Sequence, residues 1–166
     1  MPKKIDPLNK KQYGAVSAIL TVKDIKAAAS FYQKAFGFQK RGIMKGPDGQ
    51  PMHGELRLRD TTLMLGGEMG GNKSAQSLGG SPISLYLLVD NVDKVYAKAL
   101  QLGATTNMPV TDMFWGDRCC DITDPAGQRW MIATHKAEPT PAEMKKAMKQ
   151  QMEAMHAAAA ASGTGG

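Results

Sequence analysis

SAILTVKDIKAAASFYQKAFGF, residues 17–38, is the stretch on which the fold turns, because the chain states its plan a second time as SLYLLVDNVDKVYAKALQLGA, residues 84–104. Each copy opens on Ser, alternates through a short strand to Val, reaches Asp24 or Asn91, and runs through an amphipathic helix into Gly. Ser17 to Ser84, Val22 to Val89 and Asp24 to Asn91 share an offset of 67 residues. Asp and Asn are N-cap residues, whose side-chain oxygen takes an orphan backbone N–H. Apolar residues then recur at helical spacing: Ile25, Ala28, Tyr32, Ala35 and Phe36, and Val92, Val95, Tyr96, Ala99 and Leu100. Gly37 and Gly103 suit the left-handed position that ends a helix.

Hairpin sequence follows each helix. HGELRLRDTTLMLGG (53–67) has two alternating runs about Asp60-Thr61, and RCCDITDPAGQRWMIAT (118–134) has two about Asp124-Pro125-Ala126-Gly127. In the latter Pro fixes φ and Gly is free to make it positive, so these are turn residues. The same offset relates Met64 to Met131 and Leu65 to Ile132. Each half therefore reads as strand, helix, then about three strands: a first module over 14–67, a Gly-rich linker over 68–82 and a second module over 83–136. TPAEMKKAMKQQM (140–152) opens with a capping box, Thr140 with Glu143 and Pro141 between, and predicts an amphipathic helix over 140–160. Met144, Met148, Met152 and Met155 make its apolar stripe, and 161–166 is expected to be a disordered tail.

Composition narrows the class. Apolar residues are 42% and charged ones 22%, ordinary for a globular domain. No run approaches the roughly 20 apolar residues of a membrane span, and MPKKIDPLNKKQYG (1–14) lacks the apolar stretch of a secretory signal. Cys119 and Cys120 are the only cysteines; neighbours on a strand face opposite ways, so they read as thiols, consistent with a cytoplasmic protein. The +6 charge sits largely near the ends, without a basic stripe interleaved with aromatics, which argues against nucleic acid and mildly against a cationic ligand.

With VKDIKAAASFYQKAFGF, HGELRLRDTTLMLGGE, FWGDRCCDITDPAGQRWMIATH and TPAEMKKAMKQQM together, the chain resembles the vicinal-oxygen-chelate superfamily (glyoxalase I, extradiol dioxygenases, fosfomycin-resistance enzymes, bleomycin-binding proteins) over about residues 14–152. Within it the chain most resembles the small bacterial branch labelled 3-demethylubiquinone methyltransferase-like. The resemblance implies an α+β fold: two paired βαβββ modules forming a cupped mixed sheet, helices outside and a cleft inside, often completed by homodimerisation, with a C-terminal helix added here. It also implies four metal positions, on the first and last strands of each module, filled by His, Gln or Glu in metal-dependent members. Here they fall on Ser17, Met64, Ser84 and Met131. Hydroxyls are weak ligands and thioethers suit soft Cu(I), so no metal and no cofactor is expected.

Strand alternation sorts the side chains independently. Ala18, Leu20, Val22, Leu56, Leu58, Leu63, Leu65, Leu85, Leu87, Val89, Trp130 and Ile132 share one apolar face, predicted to lie under the helices. The opposite face carries Ser17, Ile19, Thr21, His53, Glu55, Arg57, Thr62, Met64, Ser84, Tyr86, Leu88, Cys119, Asp121, Met131 and Ala133, a mixed composition that suits a ligand cleft. Phe114 and Trp115, in a loop with Gly116, are the aromatics placed to stack on a planar ligand. The candidate ligand-binding set is thus Ser17, Ile19, Glu55, Arg57, Met64, Ser84, Tyr86, Phe114, Trp115, Cys119, Asp121 and Met131. Glu55 is expected to pair with Arg57 or face solvent, and Cys119 to be a small half-buried strand residue, with Arg118 beside it as the cation that would lower the thiol pKa of a reactive cysteine.

No catalytic residue is assigned. The chain reads as a metal-independent binder of a planar or amphipathic small organic ligand, acting in sequestration or resistance, with a homodimer expected and neither nucleic acid nor membrane as partner. Two other readings stand beside it. One is a metal-dependent lyase, isomerase or dioxygenase-like enzyme with its ion displaced to His53 and Glu55. The other is an interaction module working through the Met-rich helix.

Overall fold

A computed structural model describes residues 6–162. In chain order the elements are β1 Ala18–Thr21, α1 Ile25–Phe36, β2 Gln39–Lys45, β3 Pro51–Leu58, β4 Thr61–Gly66, α2 Ala75–Leu78, β5 Ser84–Leu88, α3 Val92–Gln101, β6 Thr105–Asp112, β7 Asp117–Thr123, β8 Arg129–His135 and α4 Pro141–Ser162. They build the α+β architecture anticipated above, two βαβββ modules plus a C-terminal helix. The sheets run β1-β4-β3-β2 and β5-β8-β7-β6, with β1–β4 and β5–β8 parallel and the rest antiparallel. The internal repeat survives as register: Ile19 pairs with Met64, and Tyr86, 67 residues on, pairs with Met131.

The helices start where their caps predict. Asp24 accepts from the Ala27 amide and Asn91 from the Lys94 amide, both at 2.9 Å. All twelve residues of the apolar strand face join the core, seven buried outright and five partly buried against it. That core is shared between modules. Tyr32 and Phe36 of α1 pack on Trp130 of β8, ring centroids 5.4 and 4.9 Å apart, each buried ring contributing about 1.5–3 kcal/mol. Beneath them lies Asp124, which accepts from Tyr32 Oη (2.7 Å), Trp130 Nε1 (2.8 Å) and the amides of Ala126 and Gln128. Asp124 therefore shapes its turn and also fastens one module to the other.

The linker is more structured than its composition suggests. Ser74 caps a helical turn, α2, and Gln76 Nε2 donates to Pro125 O at 2.6 Å. Gly127, at φ +83°, makes this contact possible: a Cβ there would lie 2.9 Å from the Gln76 amide nitrogen. At the far end the capping box forms, with Thr140 and Glu143 bonded to each other through backbone and side chain. Among the described residues no sheet or helix packs along α4, and Met148 and Met152 are exposed. Residues 1–5 and 163–166, including most of the expected disordered tail, lie outside the described residues. No helix of the described residues is long and apolar enough to cross a membrane.

Candidate functional site

The face of the second sheet turned away from the helices carries a polar cluster around Asp117. Leu88, Ala133 and Cys119 lie side by side across β5, β8 and β7. Because Ala133 is small, the Tyr86 ring can cross β8, and its hydroxyl donates to Asp117 Oδ2 at 2.5 Å while lying 3.6 Å from Cys119 Sγ. Asp117 opens β7 directly opposite His135, the last residue of β8. His135 Nδ1 donates to Asp117 Oδ1 at 2.8 Å, and Trp115 Nε1 donates to Oδ2 at 3.2 Å. Three donors from three segments thus converge on one carboxylate, whose side chain is only 12% exposed.

The charges follow from this geometry. Burial alone pulls the Asp117 carboxyl up, yet the bonds from Tyr86, His135 and Trp115 outweigh it and hold it below the usual range. The carboxylate in turn lifts the His135 imidazole above its ordinary value. Burial, then the Asp117 bond, drives the Tyr86 phenol well up, so it stays neutral. Cys119 is a small buried strand residue, and Arg118 does not activate it. Burial raises the thiol, and Arg118, as the next residue on the strand, faces the other way, to Asp93 and Asp112 at 2.9–3.0 Å.

The loop between β6 and β7 places the aromatics. Gly116 sits at φ +98° against the chain leaving β8, where a Cβ would lie 2.0 Å from Ala137 O. Its carbonyl accepts from the amides of Lys136 and Ala137, both at 2.9 Å. Phe114 and Trp115 meet edge to face, 5.0 Å between centroids, beside the cluster.

Other candidates are committed within the chain. Asp121 is buried and bound by Arg129 (2.5–3.0 Å) and Asn107 (2.8 Å). On the first sheet Glu55 does not pair with Arg57. It accepts from Tyr13 Oη and lies 3.6 Å from His53 Nε2. Arg57 instead donates to Lys11 O, Gln12 O and Arg59 O, and Thr62 Oγ1 donates to Gln12 O at 2.6 Å. The correction has a simple cause: residues 11–13 lie across this face, and their unpaired carbonyls attract the guanidinium. Ile19 is 64% exposed, and Ser84 is exposed too. Met64 and Met131 are half-buried, while the Ser17 hydroxyl is buried without a partner.

Of the four positions the resemblance assigns to metal ligands, Ser17 lies just before β1 and Met64 on β4 of the first sheet, while Ser84 and Met131 lie on β5 and β8 of the second. Hydroxyl and thioether do not fit a divalent ion of the Zn²⁺, Ni²⁺, Mn²⁺ or Fe²⁺ kind. Among the described residues no three His, Cys, Asp or Glu side chains gather as a metal-holding group. Two cavities, of about 280 and 320 Å³, flank the facing edges of β1 and β5; Tyr86 and Leu88 line the first and Ile19 the second, with Ala18 and Leu85 common to both.

Alternation along the strands had placed Tyr86 and Cys119 on this face; Asp117 and His135 were missed although they lie two residues before Cys119 and two after Ala133. The same counting, carried to the strand ends, would have found them. Tyr13 had no such signal, because its segment is irregular.

The profile of the Glyoxalase/Bleomycin resistance protein/Dioxygenase superfamily matches residues 14–132, and the chain belongs to that superfamily. An uncharacterized protein of Mycobacterium tuberculosis (strain H37Rv) is 38% identical over 142 residues, covering 82% of this chain and 84% of the relative. Among solved structures, a gene product of Arabidopsis thaliana superposes with a TM-score of 0.61 at 25% identity, over 73% of this chain and 98% of that one. A glyoxalase/bleomycin resistance protein/dioxygenase family enzyme from Burkholderia phytofirmans PsJN gives a TM-score of 0.60 at 21% identity, over 72% and 97% respectively.

Proposed function

We propose that this chain is a small-molecule-binding member of the superfamily that works without the usual metal, and that it takes a planar or amphipathic organic ligand on the open face of the second sheet. One observation carries the reading. Tyr86, Asp117, His135 and Trp115 form a bonded polar cluster on a face where Tyr86 and Leu88 remain 49% and 44% exposed. A few placed polar groups among aromatic and aliphatic surface are what small-molecule recognition requires. The ligand makes sequestration or resistance the natural use, in a cytoplasmic protein of the 3-demethylubiquinone methyltransferase-like branch. A homodimer completes the hollow, since Ile19, Tyr86 and Leu88 are apolar side chains left open on these faces. Elemental analysis of the purified protein, paired with a ligand screen read by amide shifts of Tyr86, Trp115 and His135, tests the reading. Substoichiometric metal with shifts clustered at those residues supports it; stoichiometric Zn, Ni, Mn or Fe lost on His53→Ala overturns it.

A further inference from the structure

We propose that the ligand of the second sheet is an organic anion, an aromatic or amphipathic molecule bearing a carboxylate, sulfonate or phenolate, and that His135 receives its charge. The inference rests on the reading that the ligand lies on this face, and adds its chemical class and its anchor.

Few polar atoms of the cluster remain free. Asp117 faces inward, its two oxygens bound by Tyr86, Trp115 and His135. The Tyr86 hydroxyl is spent on Asp117. His135 has committed only Nδ1, and its side chain is 54% exposed, so Nε2 is the polar atom the cluster offers outward. With Nδ1–H held by Asp117, a neutral ring presents a lone pair at Nε2, whereas the protonated ring presents a charged N–H. The latter bonds an anionic oxygen about twice as strongly as a neutral acceptor would be bonded.

The charged and titratable surroundings agree. Asp117 on β7 favours the imidazolium. Tyr86 on β5 and Cys119 on β7 are both raised by burial and stay neutral. Glu138 is the remaining acid: its carboxylate lies 3.7 Å from Nε2 on a 91% exposed side chain, a loose counterion that an incoming anion replaces. Arg118 is held by Asp93 and Asp112, so it does not compete for an anion here, while Lys136, the residue after His135, is exposed and adds positive charge to this edge. Leu88, the Tyr86 ring and the Phe114–Trp115 pair supply the apolar surface on which the body of such a molecule rests.

Two fluorescent probes test this on the full-length protein: 8-anilinonaphthalene-1-sulfonate, an aromatic anion whose charge is constant with pH, and Nile red, which is neutral. Between about pH 6 and about pH 9 the wild-type affinity for the sulfonate is expected to fall roughly tenfold, the scale of one charge-assisted hydrogen bond. Nile red affinity should stay level. His135→Gln should bind the sulfonate weakly at both pH values and Nile red as before, with an unchanged near-UV circular dichroism spectrum showing that the variant is folded. As a measurement needing no variant, the sulfonate should raise the titration midpoint of His135 and move its ring resonances, while the ring resonances of His53 and His156 keep their positions. A sulfonate affinity that is flat with pH, or unchanged in His135→Gln, overturns the anion anchor while Nile red binding preserves the binding reading. Failure of both probes to bind overturns both.

Discussion

The hydroxyl of Tyr86 on β5 reaches over Ala133 on β8 to bond Asp117 on β7 at 2.5 Å, tying three strands of the second sheet together on its open face. The first sheet has no counterpart to this bridge: Ile19 stands at the repeat position of Tyr86 and carries no polar group. The repeated scaffold has therefore diverged into one half with a bonded cluster and one half overlaid by residues 11–13 of its own chain.

The Asp117–His135 pair should be visible in the pH dependence of stability. His135 is raised above its ordinary 6.5 by its bond to Asp117. Its contribution is therefore complete below about 6.5 and is lost as pH rises through the higher folded value. Burial raises Asp117 and its three bonds more than reverse this, so its folded value lies below the ordinary 3.8. Its contribution is present above 3.8 and lost as pH falls through the folded value. The Tm gap between wild type and His135→Gln should be widest between these limits and shrink on either side. A gap that stays constant into the alkaline range would remove the pair from the account.

Gly116→Ala should destabilise strongly, by about 3 kcal/mol or more, because a methyl there collides with backbone and not with a side chain that can swing away. Gly37→Ala is the control. It too has positive φ, but nothing lies within 4 Å of the added carbon, so only the conformational cost of about 1 kcal/mol is expected. Urea denaturation of both variants measures the difference, and equal losses would show that the close approach to Ala137 is not maintained.

Asp124 should outweigh each of its partners. Asp124→Ala orphans the Tyr32 hydroxyl and the Trp130 indole N–H together and should cost about 3 kcal/mol. Tyr32→Phe removes one donor of four and should cost about 1 kcal/mol. Reversal of that order in denaturant titrations would mean that the carboxylate is not the fastening between the modules.

Tyr13 sets the acidity of Glu55. The Glu55 carboxyl is held down first by the Tyr13 hydroxyl, against burial, with smaller help from His53 and Arg41. Tyr13→Phe should therefore move the Glu55 midpoint upward toward its ordinary 4.5, as read by carboxyl carbon NMR. No movement would mean that the segment does not lie on the first sheet in solution.

The legible part of the molecule was the periodic part. Offset and alternation alone related Met64 to Met131, chose the apolar face correctly at all twelve positions, and placed both N-caps. Those readings depend on contacts a few residues long or on a period of two, and sequence carries both directly. What escaped depended on segments with no period. The carbonyls of Lys11 and Gln12 took Arg57 from Glu55, and Tyr13 took its place. The α2 turn was hidden in a Gly-rich linker because its anchor, Pro125, lies 49 residues from Gln76. Arg118 does not activate Cys119 because sequence adjacency on a strand means opposite faces.

Gly116 has one more effect. Its carbonyl holds the amides of Lys136 and Ala137, so the root of the protruding methionine-rich helix and the turn bearing Trp115 are clamped into one mechanical piece. The same turn reaches Asp117 through the indole N–H of Trp115. The methionine-rich helix is thereby rooted at the turn that carries Trp115, and Trp115 emission is the natural gauge of strain at that joint.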